Sequence, residues 1–228
     1  MPGPADSANA LPSSLAALDG QARDRALTVL GAFHPKPSDA APGGCRTLVL
    51  LGPDEPRFWP VFTASAEWSD GAPDPLDRWS RRVIGEWADE IAAEPLFPFG
   101  DPPHHPFMRW ARRSGRLAAS PIGLLVHDHA GLFVSFRGAL ALRQRLDLPP
   151  PAPPPCDTCV DQPCRSACPV DAFGGLTYDT AACKAFLDTP PGADCMERGC
   201  RARRACPVSD VFGRLPEQSA YHMRAFRR

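Results

Sequence analysis

The sequence predicts an α+β fold in two parts, and three observations carry the prediction. Apolar residues recur at helical and at strand-like spacing through the first 148 residues. A proline run, LPPPAPPPC, then interrupts the chain at Pro149 to Pro155. Eight of the nine cysteines lie beyond it. The expected organisation is an α+β domain over residues 1–148, a stiff linker over 149–155 that holds its ends apart, and a small cysteine-rich domain over 156–228.

Each element has its own local signal. In LPSSLAALDGQARDRALTVLGAFH, Ser13 or Ser14 supplies an N-cap, and Leu15, Leu18, Ala22, Ala26 and Leu30 follow at helical spacing. CRTLVLLG, Cys45 to Gly52, is a short apolar run between turn residues and predicts a buried strand. From Asp74 to Glu94 the period is helical again, with Leu76, Trp79, Val83, Trp87 and Ile91 on one face and Pro75 in the first turn. PFMRWARRSG predicts a shorter helix closed by Gly115. PIGLLVHDHAGLFVSFRGAL holds two β-rich runs, Ile122 to His127 and Leu132 to Arg137, around the tight turn DHAG, which predicts a hairpin.

Composition sets the class. The chain has 228 residues, 43% hydrophobic and 22% charged, as in ordinary globular proteins. A net charge of -1 gives no reason to expect nucleic acid or an anionic membrane as partner. The opening MPGPADSANALPSSLAALDG lacks a basic stretch followed by an apolar core, and no apolar run nears the ~20 residues that span a bilayer, so a cytoplasmic location is expected. Proline is the outlier: 29 residues, against a usual share of about 5%. Long helices and central strands should be few, with loops pinned by the five Trp and twelve Phe.

The cysteines carry the chemistry. Cys156, Cys159, Cys164 and Cys168 are followed by Cys183, Cys195, Cys200 and Cys206, and both fours close in Cys-Pro, within a repeated ACPV. A [4Fe-4S] cluster needs four thiolates, three from one loop and the fourth from a distant cysteine followed by proline; in two-cluster ferredoxins that fourth ligand sits in the other motif. Applied here, Cys156, Cys159, Cys164 and Cys206 hold one cluster, and Cys168, Cys183, Cys195 and Cys200 the other. The gap from Cys159 to Cys164 is longer than the common spacing, so VDQP should bulge towards solvent. Disulfides fit poorly with crowded thiols in a chain that opens without a secretory signal. Two four-thiolate zinc sites are the other alternative, although zinc motifs usually come as separated C-x2-C knuckles.

A four-cysteine motif, an isolated cysteine and a three-cysteine motif ending in Cys-Pro together resemble the dicluster ferredoxin module of epoxyqueuosine reductases and reductive dehalogenases. In those enzymes the module follows a nitroreductase-like α/β domain that binds a cobalamin, and the clusters pass electrons to cobalt. The whole chain is also similar to ferredoxin-like proteins of proteobacteria that share FPFG, SPIGLLVHD, FRGALAL and QSAYHM. The departures are specific. RSGRLAASPIGLLVHD stands where epoxyqueuosine reductases carry a Gly-Lys-Asn stretch, and no helical-repeat domain follows the second motif, so tRNA reduction is not expected. The resemblance implies an iron-sulfur electron-transfer protein with two [4Fe-4S] clusters, exchanging single electrons with a redox partner protein or a small-molecule cofactor at the N-terminal domain. An oxidoreductase acting through a corrinoid (cobalamin) or a flavin is the second expectation. A zinc-stabilised interaction module is the third.

Other features are weaker. Arg198, Arg201, Arg203 and Arg204 surround Cys200 and Cys206, either to dock an acidic redox partner or as a solvated helix face. Arg137 and Gly138 close the second predicted strand and are candidate contacts for a cofactor phosphate. His104, His105, His127 and His129 read as surface or loop residues, not ligands. The tryptophans read as core, and Cys45 as a small apolar residue.

Overall fold

The structure, a computed structural model, describes residues 12–175 and 177–228. Residues 1–11, most of the stretch expected to lack a secretory signal, lie outside the described residues. In chain order the elements are α1 (Leu15–Asp24), β1 (Leu27–Phe33), β2 (Thr47–Pro53), α2 (Phe58–Thr63), α3 (Ala66–Ser69), α4 (Pro75–Glu90), β3 (Glu94–Leu96), α5 (Phe107–Arg113), β4 (Leu117–Ala119) and β5 (Leu125–His127). Then come β6 (Gly138–Leu142), α6 (Thr180–Leu187), α7 (Ala193–Arg198), α8 (Arg201–Arg204), α9 (Pro207–Asp210) and α10 (Pro216–Arg227). The fold is α+β.

The chain divides into two compact units. The first takes the chain up to Asp54, Pro60–Gly115 and Ser135–Pro151; the second takes Glu55–Trp59, Arg116–Val134 and Ala152–Arg228. One break falls inside the proline run. The second unit nevertheless claims two segments that the expected division at residue 148 assigns to the first domain.

The first unit is built on an antiparallel four-stranded sheet in the order β1-β2-β6-β3. Leu48, Val49, Leu50 and Leu51 of β2 are fully buried, as the apolar run predicts for an inner strand. Helix α4 starts with Pro75 at its first position and buries Leu76, Trp79, Ile84 and Trp87. Ile84 thus takes the core position expected of Val83, because a 3.6-residue period drifts against a strict four-residue step. Gly115, with φ +71°, stands just beyond α5. Trp59, Trp79, Trp87 and Trp110 are buried, while Trp68 is 36% exposed and meets Phe62 edge-on at 5.2 Å.

Two expectations about elements are corrected. The first helix stops at Asp24, not beyond Leu30, and Leu27–Phe33 is a strand. Ala26 adopts φ 56°, which ends the helix, and the Asp19 carboxylate then accepts from the Val29 N–H at 2.8 Å and from Thr28 Oγ1 at 2.9 Å. Leu30 keeps its burial in β1, at the register shift between Val29 and Gly31 where that strand pairs with β2, so the tertiary context overrides the helical spacing.

The predicted hairpin around DHAG is the second correction. The turn exists, bridged between His127 and Gly131, but β5 pairs backwards with β4 and Leu132 to Arg137 forms no strand. Both ladder groups of Leu132 are taken by side chains: its N–H donates to Ser209 Oγ at 2.8 Å, and its carbonyl accepts from Arg203 Nη1 at 2.7 Å. Strand pairing resumes only at Gly138, on β2 and β3.

Proline explains the brevity of the second unit's elements. Pro155, Pro163, Pro190, Pro207 and Pro216 each stand at the start of a helical turn, where the missing N–H costs nothing. Among the described residues no helix is long and apolar enough to cross a membrane.

Candidate metal centre

The eight clustered cysteines all belong to the second unit, and each is placed by a short local device. Cys156 sits in the turn Pro155–Asp157, and the Cys159 N–H donates to its carbonyl at 3.3 Å. Gln162, in the left-handed region at φ 39°, turns the chain into Pro163–Arg165, which carries the buried Cys164. Of VDQP, Val160, at 94% exposed, and Asp161 face outward, while Gln162 and Pro163 are half-buried. Cys206 is the N-cap of α9: Pro207 forces the residue before it out of the helical region, to ψ 122°. Helix α8, which precedes Cys206, packs against the turn holding Cys164.

Ile122, Val126, Leu132, Cys164, Ala202 and Cys206 form one buried cluster, with Cys156 packed against it. Beside them lies a cavity of about 210 Å³ lined by Cys156, Cys159, Cys164 and Cys206 together with Ser120, Val126 and Leu132. Burial pushes the Cys156 thiol up, and negative charge on Cys164, Cys206 and Cys159 pushes it further. Cys164 is raised in the same way, by burial and then by Cys206 and Cys159. Cys156 and Cys164, so raised, need a compensating cation before they can act as thiolates.

The other four cysteines are neighbours of one another. Burial raises the Cys183 thiol; a hydrogen bond from Tyr178 opposes this, while charge on Cys200 and Cys168 adds to it. Burial and Cys200 raise Cys195. Cys183 lies in α6, capped by Asp179, whose carboxylate accepts from the Ala182 N–H at 2.8 Å. Cys195 lies in α7, and Cys200 is the N-cap of α8. Cys168 Sγ accepts from the Ala172 N–H at 3.3 Å. Tyr178 stacks on Phe173 at 4.6 Å and, more loosely, on Phe226 at 6.1 Å.

All nine cysteines are free thiols. Among the described residues no three His, Cys, Asp or Glu side chains converge as a single metal ion would require. A cube makes a different demand, since each thiolate ends on its own iron.

The basic segment is less free than its composition suggests. Asp194 pairs with Arg198, Arg201 and Arg204, and Arg203 is spent on the Leu132 carbonyl. His127, expected at an exposed turn, is fully buried; its Nδ1 accepts from the N–H groups of His129 and Ala130, both at 3.0 Å. His105 stacks on Trp110. In the first unit, Cys45 lies apart from the eight, its thiol pushed up to about 11 chiefly by burial.

Arg137 and Gly138 have different settings. Arg137 lines a cavity of about 730 Å³ in the first unit with Arg109, Arg112, His105, Phe99, Phe107 and Phe136, and it pairs with Asp77 at 3.4 Å. Gly138 is not among the residues lining that cavity. A Cβ there would come within 2.7 Å of Ile84 Cδ1 and 3.1 Å of the Leu96 carbonyl, so it serves the packing of β6.

Ser120, Leu132, Ser209 and Tyr178 escape a motif-based reading, because Ser120 and Leu132 lie outside the cysteine-rich segment and none of the four belongs to a ligand motif. Comparison with known protein families, curated proteins and solved structures finds no match.

Proposed function

We propose that this protein is an iron-sulfur electron-transfer protein that holds two [4Fe-4S] clusters in its second unit. The observation that carries this reading is the cavity that gathers Cys156, Cys159 and Cys164 with Cys206, some forty residues further on. That is the pattern of a ferredoxin loop completed by a remote Cys-Pro ligand. The donor set suits the group: four thiols around an apolar cavity, beside a buried hydroxyl that has no partner among protein atoms. When bound, the clusters supply one-electron chemistry. The chain's own residues fix the ligands, exclude water through Val126 and Leu132, and place donors such as Tyr178 and the Ala172 N–H against ligand sulfurs.

Iron, zinc and acid-labile sulfide in protein purified without oxygen test this reading. About eight iron and eight sulfide per chain are expected, as two cubes require. Cys159→Ser should lose one cluster and leave the other largely intact. Two zinc and no sulfide would instead make the second unit a zinc-stabilised interaction module.

A second reading adds an oxidoreductase activity, with a flavin or corrinoid held by the first unit and reduced through the clusters. The cavity beside Arg137 favours it, since arginines bordering aromatic rings suit a planar cofactor that carries a phosphate.

A further inference from the structure

We propose that Ser120 is a positioning residue that donates its hydroxyl proton to a sulfur of the cluster held by Cys156, Cys159, Cys164 and Cys206, and so holds that cluster at a higher potential than the thiolates alone would set. The inference rests on the two-cluster reading and adds a residue that no cysteine motif contains.

Ser120 is 8% exposed, and its Oγ is buried without a hydrogen-bond partner. Leaving a buried hydroxyl unpaired costs roughly 1–3 kcal/mol, so such groups are rare and have a reason. Its backbone is already spent: the N–H donates to the Leu124 carbonyl at 2.8 Å, and the carbonyl accepts from Gly123 at 3.0 Å. These two bonds fix the residue at the end of β4. The hydroxyl is what remains, and Ser120 lines the cavity that holds the four thiols. In the remaining lining, Val126, Leu132, Pro121 and Val208 offer no side-chain acceptor, so the side-chain acceptors of the cavity are the four sulfurs, Thr158 and Gln162, and the sulfurs are the ones that gain negative charge on reduction.

The electrostatic consequence has a definite sign. Reduction adds one negative charge to the cluster, and a hydrogen bond to sulfur stabilises the more negative state, raising the potential. In the water-poor lining the effect is larger than it would be in solvent.

Anaerobic redox titrations followed by EPR, on whole protein whose iron and sulfide have been counted, test the proposal. Two midpoints are expected, and the signal missing in Cys159→Ser marks the cluster concerned. Ser120→Ala should lower that midpoint alone, by about a tenfold change in the reduction equilibrium (~59 mV for one electron). Ser120→Thr keeps a hydroxyl and should hold the wild-type midpoint, whereas the near-isosteric Ser120→Val should lose it. If the alanine variant fails to load iron, the Thr and Val pair still decides. Equal midpoints in Thr and Val, with full iron in both, overturn the role of Ser120 and leave the cluster reading standing. Absence of iron and sulfide from the wild-type protein overturns both.

Discussion

Tyr178 stays protonated across the working range, because burial and then its hydrogen bond to Cys183 push its pKa up. It is therefore a donor to the Cys183 sulfur, a ligand sulfur in the proposed function, and is held by Phe173 and Phe226. Tyr178→Phe keeps the stacked ring and removes only the donor. Its midpoint should fall for the cluster held by Cys168, Cys183, Cys195 and Cys200, by tens of millivolts on the scale of ~59 mV per tenfold change, with unchanged iron content. A titration in which the other cluster moves instead would place Tyr178 wrongly. Cys45 shows the opposite case: a thiol alone in the first unit, its Sγ 3.4 Å from the Thr47 carbonyl, raised by burial with no cysteine among the causes.

At the scale of elements, the wall of the cavity that gathers Cys156, Cys159, Cys164 and Cys206 depends on a loop and not on a strand. Gly131 allows this. Its φ is +55°, and a Cβ would stand 2.5 Å from both Ser209 N and Ser209 Oγ. Ser209 in turn accepts from Leu132, which lines the cavity, and belongs to the helix that Cys206 caps. Gly131→Ala should therefore cost about 2–4 kcal/mol, from the left-handed backbone and from overpacking. Urea unfolding measures the loss, and iron counting should show the Cys206-containing site emptied first. A fully stable, fully loaded variant would mean the loop has room that the structure does not show. The β-rich look of Leu132 to Arg137 hid this arrangement, because propensity describes a chain that has not yet found side-chain partners for its backbone.

For the whole molecule, the two units ask separate questions. The second is read through its thiols, the first through the cavity beside Arg137. Titrating FMN and cobalamin into the whole chain addresses the first unit. The oxidoreductase reading predicts quenched flavin fluorescence, or a shifted corrinoid spectrum, with a Kd raised at least tenfold by Arg137→Gln, the loss of one charge-assisted bond. Binding of neither leaves an electron carrier.

The amino-acid sequence by itself determined what short-range spacing can encode. The apolar run of β2, the proline-started α4, the Gly115 stop and the outward start of the VDQP loop were all legible, since each depends on neighbours within about one or two helical turns. The spacing of the two Cys-Pro fours is likewise local, and it carries the proposal of two iron-sulfur clusters. Only the tertiary structure decided that Leu27–Phe33 is a strand, because pairing with β2 outweighs a helical spacing. It alone brought Arg116–Val134 into the cysteine-rich unit, where Ser120, Val126 and Leu132 line the cavity of Cys156 and Cys206. Those residues stand 24 to 86 positions apart, and no local pattern specifies their meeting. They are settled by which apolar side chains and which unspent backbone groups find partners once the chain is compact.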